Sequence, residues 1–162
     1  MPTRANAPLA QRIARELGTP AVVIDLDVVE RNIRRLQDAC TAAGLNNRPH
    51  IKTHKSPVLA KMQRDAGALG ITCQKLGEVE VMVAGGLDDI LISYNLLGEE
   101  KMARLARLVR GGATIRPCGD NPVAVDSYAD AARQAGRDIG VLVECDTGRE
   151  RAGVETPGEA IA

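Results

Sequence analysis

Hydrophobic positions along this chain switch repeatedly between a helical spacing and short unbroken runs. Leu9, Ile13 and Leu17 recur at every fourth position and predict a short N-terminal helix, ended by Gly18-Thr19-Pro20. The apolar run at 21–24 predicts a strand. Val29, Ile33, Leu36 and Cys40 form the apolar stripe of a helix over 27–43, with Asp27 as its cap and Glu30 three residues on. Further helices are predicted at 58–66, with Leu59 and Met62 inward, at 78–84, at 99–110, with Met102, Leu105 and Val109 apolar, and at 123–135. Between them lie strand-like runs at 48–55, 70–74, 89–95, 113–115 and 139–145. The run at 113–115 is weak and is expected to stop at Pro117. Gly67, Gly85-Gly86 and Gly111-Gly112 read as helix stops.

Apolar strands alternating with helices at intervals of ~20–27 residues imply a parallel sheet. The spacing suits either a (β/α)8 barrel or an open doubly wound sheet. No GxGxxG or GxxxxGK[ST] loop follows any strand. Near the end, Thr156-Pro157-Gly158-Glu159 has the form of a capped helix start. The expectation is an N-terminal helix and strand over 1–26, then a partial barrel over 27–162. A complete barrel needs about 250 residues. The five barrel strands counted here therefore make up roughly half to two-thirds of one, truncated before its later strands.

Composition narrows the functional classes. The 162 residues carry 21 basic and 21 acidic side chains, a net charge of +0. With two tyrosines as the only aromatics, there is neither the charge nor the stacking surface of a nucleic-acid binder. No run is apolar and long enough to span a membrane, and the first residues lack a signal-peptide core. Cys40, Cys73, Cys118 and Cys145 lack CxxC spacing and read as reduced thiols of a cytoplasmic protein.

The chemistry concentrates in Arg48-Pro49-His50-Ile51-Lys52-Thr53-His54-Lys55. On a strand, period two puts Arg48, His50, Lys52 and His54 on one face. Such a run can be a solvated face. Two histidines can also ligate a metal, although Lys52 between them would repel a cation. The third reading is a lysine used for its amine. Among cations and partly desolvated, such an amine attacks a carbonyl and forms a Schiff base, the protein end of pyridoxal phosphate chemistry.

This stretch resembles the signature of the D-threonine aldolase / D-serine dehydratase family, fold-type III pyridoxal phosphate enzymes related to alanine racemase. Further segments agree: Pro20-Ala21-Val22-Val23-Ile24-Asp25-Leu26-Asp27, Gly70-Ile71-Thr72-Cys73-Gln74-Lys75-Leu76-Gly77-Glu78, Asp89-Ile90-Leu91-Ile92-Ser93-Tyr94-Asn95, and Asp146-Thr147-Gly148-Arg149-Glu150-Arg151-Ala152-Gly153, which looks like the family's D-x-G-x-x-R-x-G element. The resemblance runs from about residue 19 to the end. The segment 115–121 departs from the smooth strand that the family shows there.

The resemblance implies an alanine racemase-type barrel with its active site at the C-terminal ends of the strands. It implies that Lys52 holds pyridoxal 5'-phosphate, with Lys55 as the rival. Arg151 is expected at the cofactor's phenolic oxygen, and His50, Gln74 and Tyr94 in the pocket. A divalent metal (Mn, Mg or Zn) is expected too, with ligands in a C-terminal β domain outside this chain. The implied activity is a lyase acting on D-3-hydroxy amino acids, most of all a D-threonine aldolase in a homodimer. The alternatives are a D-serine dehydratase-like ammonia-lyase and a non-catalytic pyridoxal phosphate carrier. The 162 residues alone are expected to self-associate and to lack lyase activity.

Overall fold

Each strand is followed by a helix, and that alternation decides how the strands pair. The computed structural model describes residues 7–161. In it β1 (Ile71–Cys73), β2 (Asp89–Ile92), β3 (Thr114–Gly119) and β4 (Leu142–Val143) form one parallel sheet in the order β1-β2-β3-β4. Ile71 pairs with Ile90, Ile90 with Ile115, and Cys118 with Leu142. Parallel neighbours need a crossover, and α4 (Leu76–Ala84), α5 (Glu99–Arg110) and α6 (Pro122–Ala135) supply it. Strand order follows chain order without the reversal of a doubly wound sheet, so the chain is an α/β section of barrel wall.

The fifth expected strand is nearly absent. In 48–55 only His50 pairs, through a single parallel bridge to Thr72, and Ile51–Thr53 closes into a 3-10 turn. The reason is local. His50 Nδ1 accepts the Lys52 N–H, and Ile51 O accepts both His54 N–H and Lys55 N–H, so these donors are spent within the turn. Three other expectations also change. Residues 21–24 form no strand, because a short apolar run is half a ladder and no strand among the described residues pairs with it. The run at 139–145 shortens to two residues, Leu142 and Val143, both exposed, at the edge of the sheet. Pro117 does not end β3 but lies inside it, opposite Ile92. Thr114 N donates to Asp88 O and Gly119 O accepts from Glu144 N. By alternation, the side of Pro117 that lacks a donor faces β4 one residue before that pairing begins.

The chain divides into two compact units, one up to Asn32 and one from Ile33. The first holds α1 (Ala7–Leu17) and the beginning of α2 (Leu26–Ala42). Asp25, not Asp27, caps α2: its Oδ1 accepts from Val28 N at 3.1 Å. In the second unit the apolar stripes pack as their spacing requires. Met102, Leu105, Ala106 and Val109 on α5 and Ala124, Tyr128, Ala131 and Ala135 on α6 are buried with Ile71, Ile90, Ile92 and Ile115 of the sheet. Full burial of each large aliphatic is worth about 1.5–3 kcal/mol before entropy is counted. Ser56 and Pro57 start α3 (Pro57–Asp65) as cap and first residue. At α7 (Pro157–Ile161) the expected capping box forms: Thr156 Oγ1 accepts from Glu159 N at 3.2 Å, and Glu159 Oε2 accepts from Thr156 N at 3.4 Å. No helix among the described residues is long and apolar enough to cross a membrane.

Two polar groups fasten the loops that leave the C-terminal ends of the strands. The buried Tyr128 hydroxyl donates to Cys118 O at 2.9 Å and accepts from Leu96 N at 2.8 Å, tying α6 to the ends of β2 and β3. The Asp120 carboxylate accepts from Asn95 Nδ2 at 2.7 Å, Asn121 Nδ2 at 2.8 Å and Gly153 N at 3.0 Å. Burial alone would raise the Asp120 carboxyl, but the donors from Gly153, Asn121 and Asn95 outweigh it and hold it below the ordinary aspartate range.

Tyr128→Phe leaves the Leu96 N–H and the Cys118 carbonyl unpaired in the interior. It should cost about 1–3 kcal/mol. Urea titration should show a lower midpoint with an unchanged slope. For Asp120 the folded-state value is depressed, so its stabilisation is complete above the unfolded value of about 3.9 and fades as pH falls through the folded value. Asp120→Asn should therefore lose about 1.5–3 kcal/mol at pH 7. The gap to the wild type should close as the pH is lowered below about 4. Urea midpoints measured at pH 7 and in acid give both numbers.

Candidate active site

Residues one to three positions past the strand ends line a cavity of about 250 Å³. Gln74 follows β1, Ser93 and Tyr94 follow β2, and Glu144, Cys145 and Asp146 follow β4. His50 and Lys52 enter from the 3-10 turn, and Arg149 and Arg151 from the loop after β4. All five side chains singled out from the sequence, His50, Lys52, Gln74, Tyr94 and Arg151, line this one space.

They reach it differently from the strand-face reading. Arg48 turns away to the opposite end of the sheet, where its Nη1 lies 2.9 Å from Asp89 Oδ1, an oxygen that Arg116 also meets at 2.7 Å. His54 turns toward α3: its Nε2 is 3.3 Å from Gln63 Oε1, and its Nδ1 accepts from Ser56 N. Burial lowers the His54 pKa, and the Gln63 contact only partly opposes this. His50 and His54 thus make separate contacts and do not converge on one point. Lys52 is exposed to the cavity. Lys55 follows in a left-handed backbone (φ 52) with its Nζ 3.2 Å from Glu78 Oε1.

The imidazole of His50 has defined roles. Its Nδ1 accepts from Lys52 N at 3.3 Å, so the proton belongs on Nε2. Nε2 then donates toward Ser93 Oγ at 3.2 Å and Gln74 Oε1 at 3.3 Å. His50 therefore fixes the backbone of the lysine turn on one side and the ends of β1 and β2 on the other. Across the cavity Asp146 Oδ1 accepts from Gly148 N and Arg149 N, both at 2.8 Å. Those two donors hold the Asp146 carboxyl below its ordinary range and shape the loop that carries both arginines.

The cavity carries three cations, Lys52, Arg149 and Arg151, against two carboxylates, Glu144 and Asp146. Glu144 Oε2 is buried without a hydrogen-bond partner, which is costly for a carboxylate oxygen. Cys145 is an exposed thiol in the wall, whereas burial, with Glu78 nearby, pushes Cys73 up to about 12. Among the described residues no three His, Cys, Asp or Glu side chains are grouped to hold a metal ion. Ser93, Glu144, Asp146 and Arg149 are cavity residues that the sequence reading did not single out. Only Asp146 carried a local signal, an Asp two positions before a Gly, the pattern of a side-chain-capped turn.

Comparison with known proteins places this geometry in a family. The family model described as alanine racemase, N-terminal domain, matches residues 24–162. A 3-hydroxy-D-aspartate aldolase of Paracoccus denitrificans is 39% identical over 142 residues, which are 87% of this chain and 37% of that protein. A D-threo-3-hydroxyaspartate dehydratase of Delftia sp. is 40% identical over 138 residues, 85% of this chain and 36% of that one. The crystal structure of D-threonine aldolase from Filomicrobium marinum superposes with a TM-score of 0.85 at 39% identity, over 88% of this chain and 38% of that one. The chain thus spans less than half the length of the relatives it matches. Four parallel strands in chain order, with the cavity at their C-terminal ends, accord with that match, and the chain belongs to the alanine racemase N-terminal domain family.

Proposed function

We propose that this chain is the cofactor-bearing part of a pyridoxal phosphate-dependent lyase acting on D-3-hydroxy amino acids, and that the reaction is the aldolase cleavage of a substrate such as D-threonine. The observation that carries the reading is the convergence of Lys52, His50, Gln74, Tyr94 and Arg151 on one cavity at the C-terminal edge of a parallel sheet. Relatives named as aldolases and as a dehydratase support the lyase class and the D-hydroxy amino acid substrate. The donor set fits the cofactor. It offers an exposed amine for an aldehyde, guanidinium groups for anionic oxygens, and a carboxylate oxygen, Glu144 Oε2, buried without a hydrogen-bond donor.

When bound, pyridoxal phosphate supplies the electron sink for the bond that breaks. Lys52 would hold it, because its amine is exposed to the cavity while that of Lys55 is tied to Glu78. Arg151 would meet the phenolic oxygen and favour its anionic form. His50 positions rather than abstracts: both ring nitrogens are already engaged, one with the backbone of Lys52. In the aldolase reaction the β-hydroxyl loses its proton, the Cα–Cβ bond breaks, Cα takes up a proton, and glycine and an aldehyde leave. A divalent metal belongs to the full-length reading, but the residues described here do not make a site for one, and no step is assigned to it.

Product analysis on the protein that carries this chain tests the reaction. D-threonine with pyridoxal phosphate and manganese should give glycine and acetaldehyde. A keto acid and ammonia would make it a dehydratase instead. Borohydride reduction followed by peptide mapping should place the pyridoxyl mass on Lys52, and finding it on Lys55 would reverse the assignment. Arg151→Ala should weaken cofactor binding and activity by an amount worth about 1.5–3 kcal/mol, the range of a hydrogen bond to a charged group. Its circular dichroism should stay that of the wild type, since Arg151 is exposed. Unchanged absorbance and kinetics would put Arg151 outside the site.

A further inference from the structure

Lys52 and Lys55 are three residues apart, and both are exposed. Lys52 lines the cavity and Lys55 does not, yet Lys55 is open to any carbonyl compound in solution, and one carboxylate engages it. Glu78 lies in the first turn of α4, and only 7% of its side chain is exposed, so its charge must be met inside the protein. Its Oε2 accepts from Gln74 N at 2.8 Å, and its Oε1 meets Lys55 Nζ at 3.2 Å. Lys55 reaches it from a left-handed backbone, with its N–H bonded to Ile51 O at 2.8 Å. A lysine rarely adopts that backbone without compensation. Here it aims the side chain at Glu78, and the same turn leaves Lys52 at the cavity wall. The other end of the carboxylate holds the backbone of Gln74, whose side chain meets His50. Burial alone would raise the Glu78 carboxyl, but the Gln74 N–H and the Lys55 ammonium outweigh it and keep it charged.

We infer that Glu78 is a positioning residue that selects the reactive lysine: it sequesters Lys55 in an ion pair and leaves Lys52 as the amine that carbonyl compounds find. The inference rests on the reading of Lys52 as the residue that holds the cofactor. An ammonium held in such a pair must leave the carboxylate and lose its proton before it can attack a carbonyl, and leaving it strands a buried carboxylate. Exposure alone would make Lys55 at least as reactive as its neighbours, since its side chain is 57% exposed. The pairing predicts the reverse.

Two measurements on the protein that carries this chain, read on the lysines of this chain, test this. In the wild type, dilute formaldehyde with cyanoborohydride should methylate Lys55 severalfold more slowly than the exposed Lys61 and Lys101, read by mass spectrometry of peptides. Comparable rates would overturn the inference, whatever Lys52 does. In Glu78→Gln the amide can still accept from Gln74 N but offers Lys55 no charge. Treatment with pyridoxal phosphate and then borohydride should label Lys52 alone in the wild type and both Lys52 and Lys55 in the variant. A variant labelled on Lys52 alone would overturn the inference. If Glu78→Gln loses the circular dichroism of the wild type, the variant has unfolded, and the wild-type methylation rates decide. A wild type not labelled on Lys52 would refute the proposed function, while the methylation rates would still judge the sequestration of Lys55.

Discussion

The candidate site depends on one carboxylate that is not in its lining. Asp120 follows β3 and gathers donors from the loop after β2, from the start of α6 and from Gly153 beyond β4. Parallel strands end together at one edge, and the loops that leave that edge have no ladder to hold them. Three donors on one anion replace the ladder. Gly153 must come close for this: a Cβ there would fall 2.5 Å from Asp146 N, and its φ of 103° suits glycine. The position of the Arg149–Arg151 loop therefore follows from a residue with no side chain and an anion at the end of the neighbouring strand.

In and around the cavity, charge is organised by local pairing rather than by general burial. Asp146 is occupied by its own loop, Glu78 by Lys55 and a backbone N–H, and His50 by the turn that carries Lys52. The groups left open are Lys52, the two arginines and one oxygen of Glu144. A small anionic carbonyl compound complements that remainder, and a bare cation does not.

The helices and the sheet were legible in the sequence because their signals are local and periodic. The helix at 99–110 lies where its stripe and its Gly111 stop put it. The strand expected at 113–115 extends to Gly119 because Pro117 is a reliable breaker only where its missing donor would have been used, and that depends on how far β4 extends. The 48–55 strand failed for the opposite reason: its alternation is real in sequence, but His50 and Ile51 spend the backbone donors on a turn. The five site residues still line one cavity although the strand face that put His50 and Lys52 together does not form, because the motif order behind the resemblance does not depend on a strand at 48–55. Ser93, Glu144 and Arg149 were not legible, since nothing local distinguishes a polar residue facing a cavity from one facing water. The N-cap of α2 was missed by two residues because Asp25 and Asp27 are equally good caps, and only the course of the chain chooses between them.

The strand order has a kinetic side. Each βα unit adds beside the one made just before it, so the pairings Ile71–Ile90 and Ile90–Ile115 join residues only one helix apart in sequence. Such a layout keeps loop-closure entropy low and favours stepwise growth from either end, so that a chain emerging from synthesis can extend an edge it already has. Nothing in this wall needs a distant segment to arrive first.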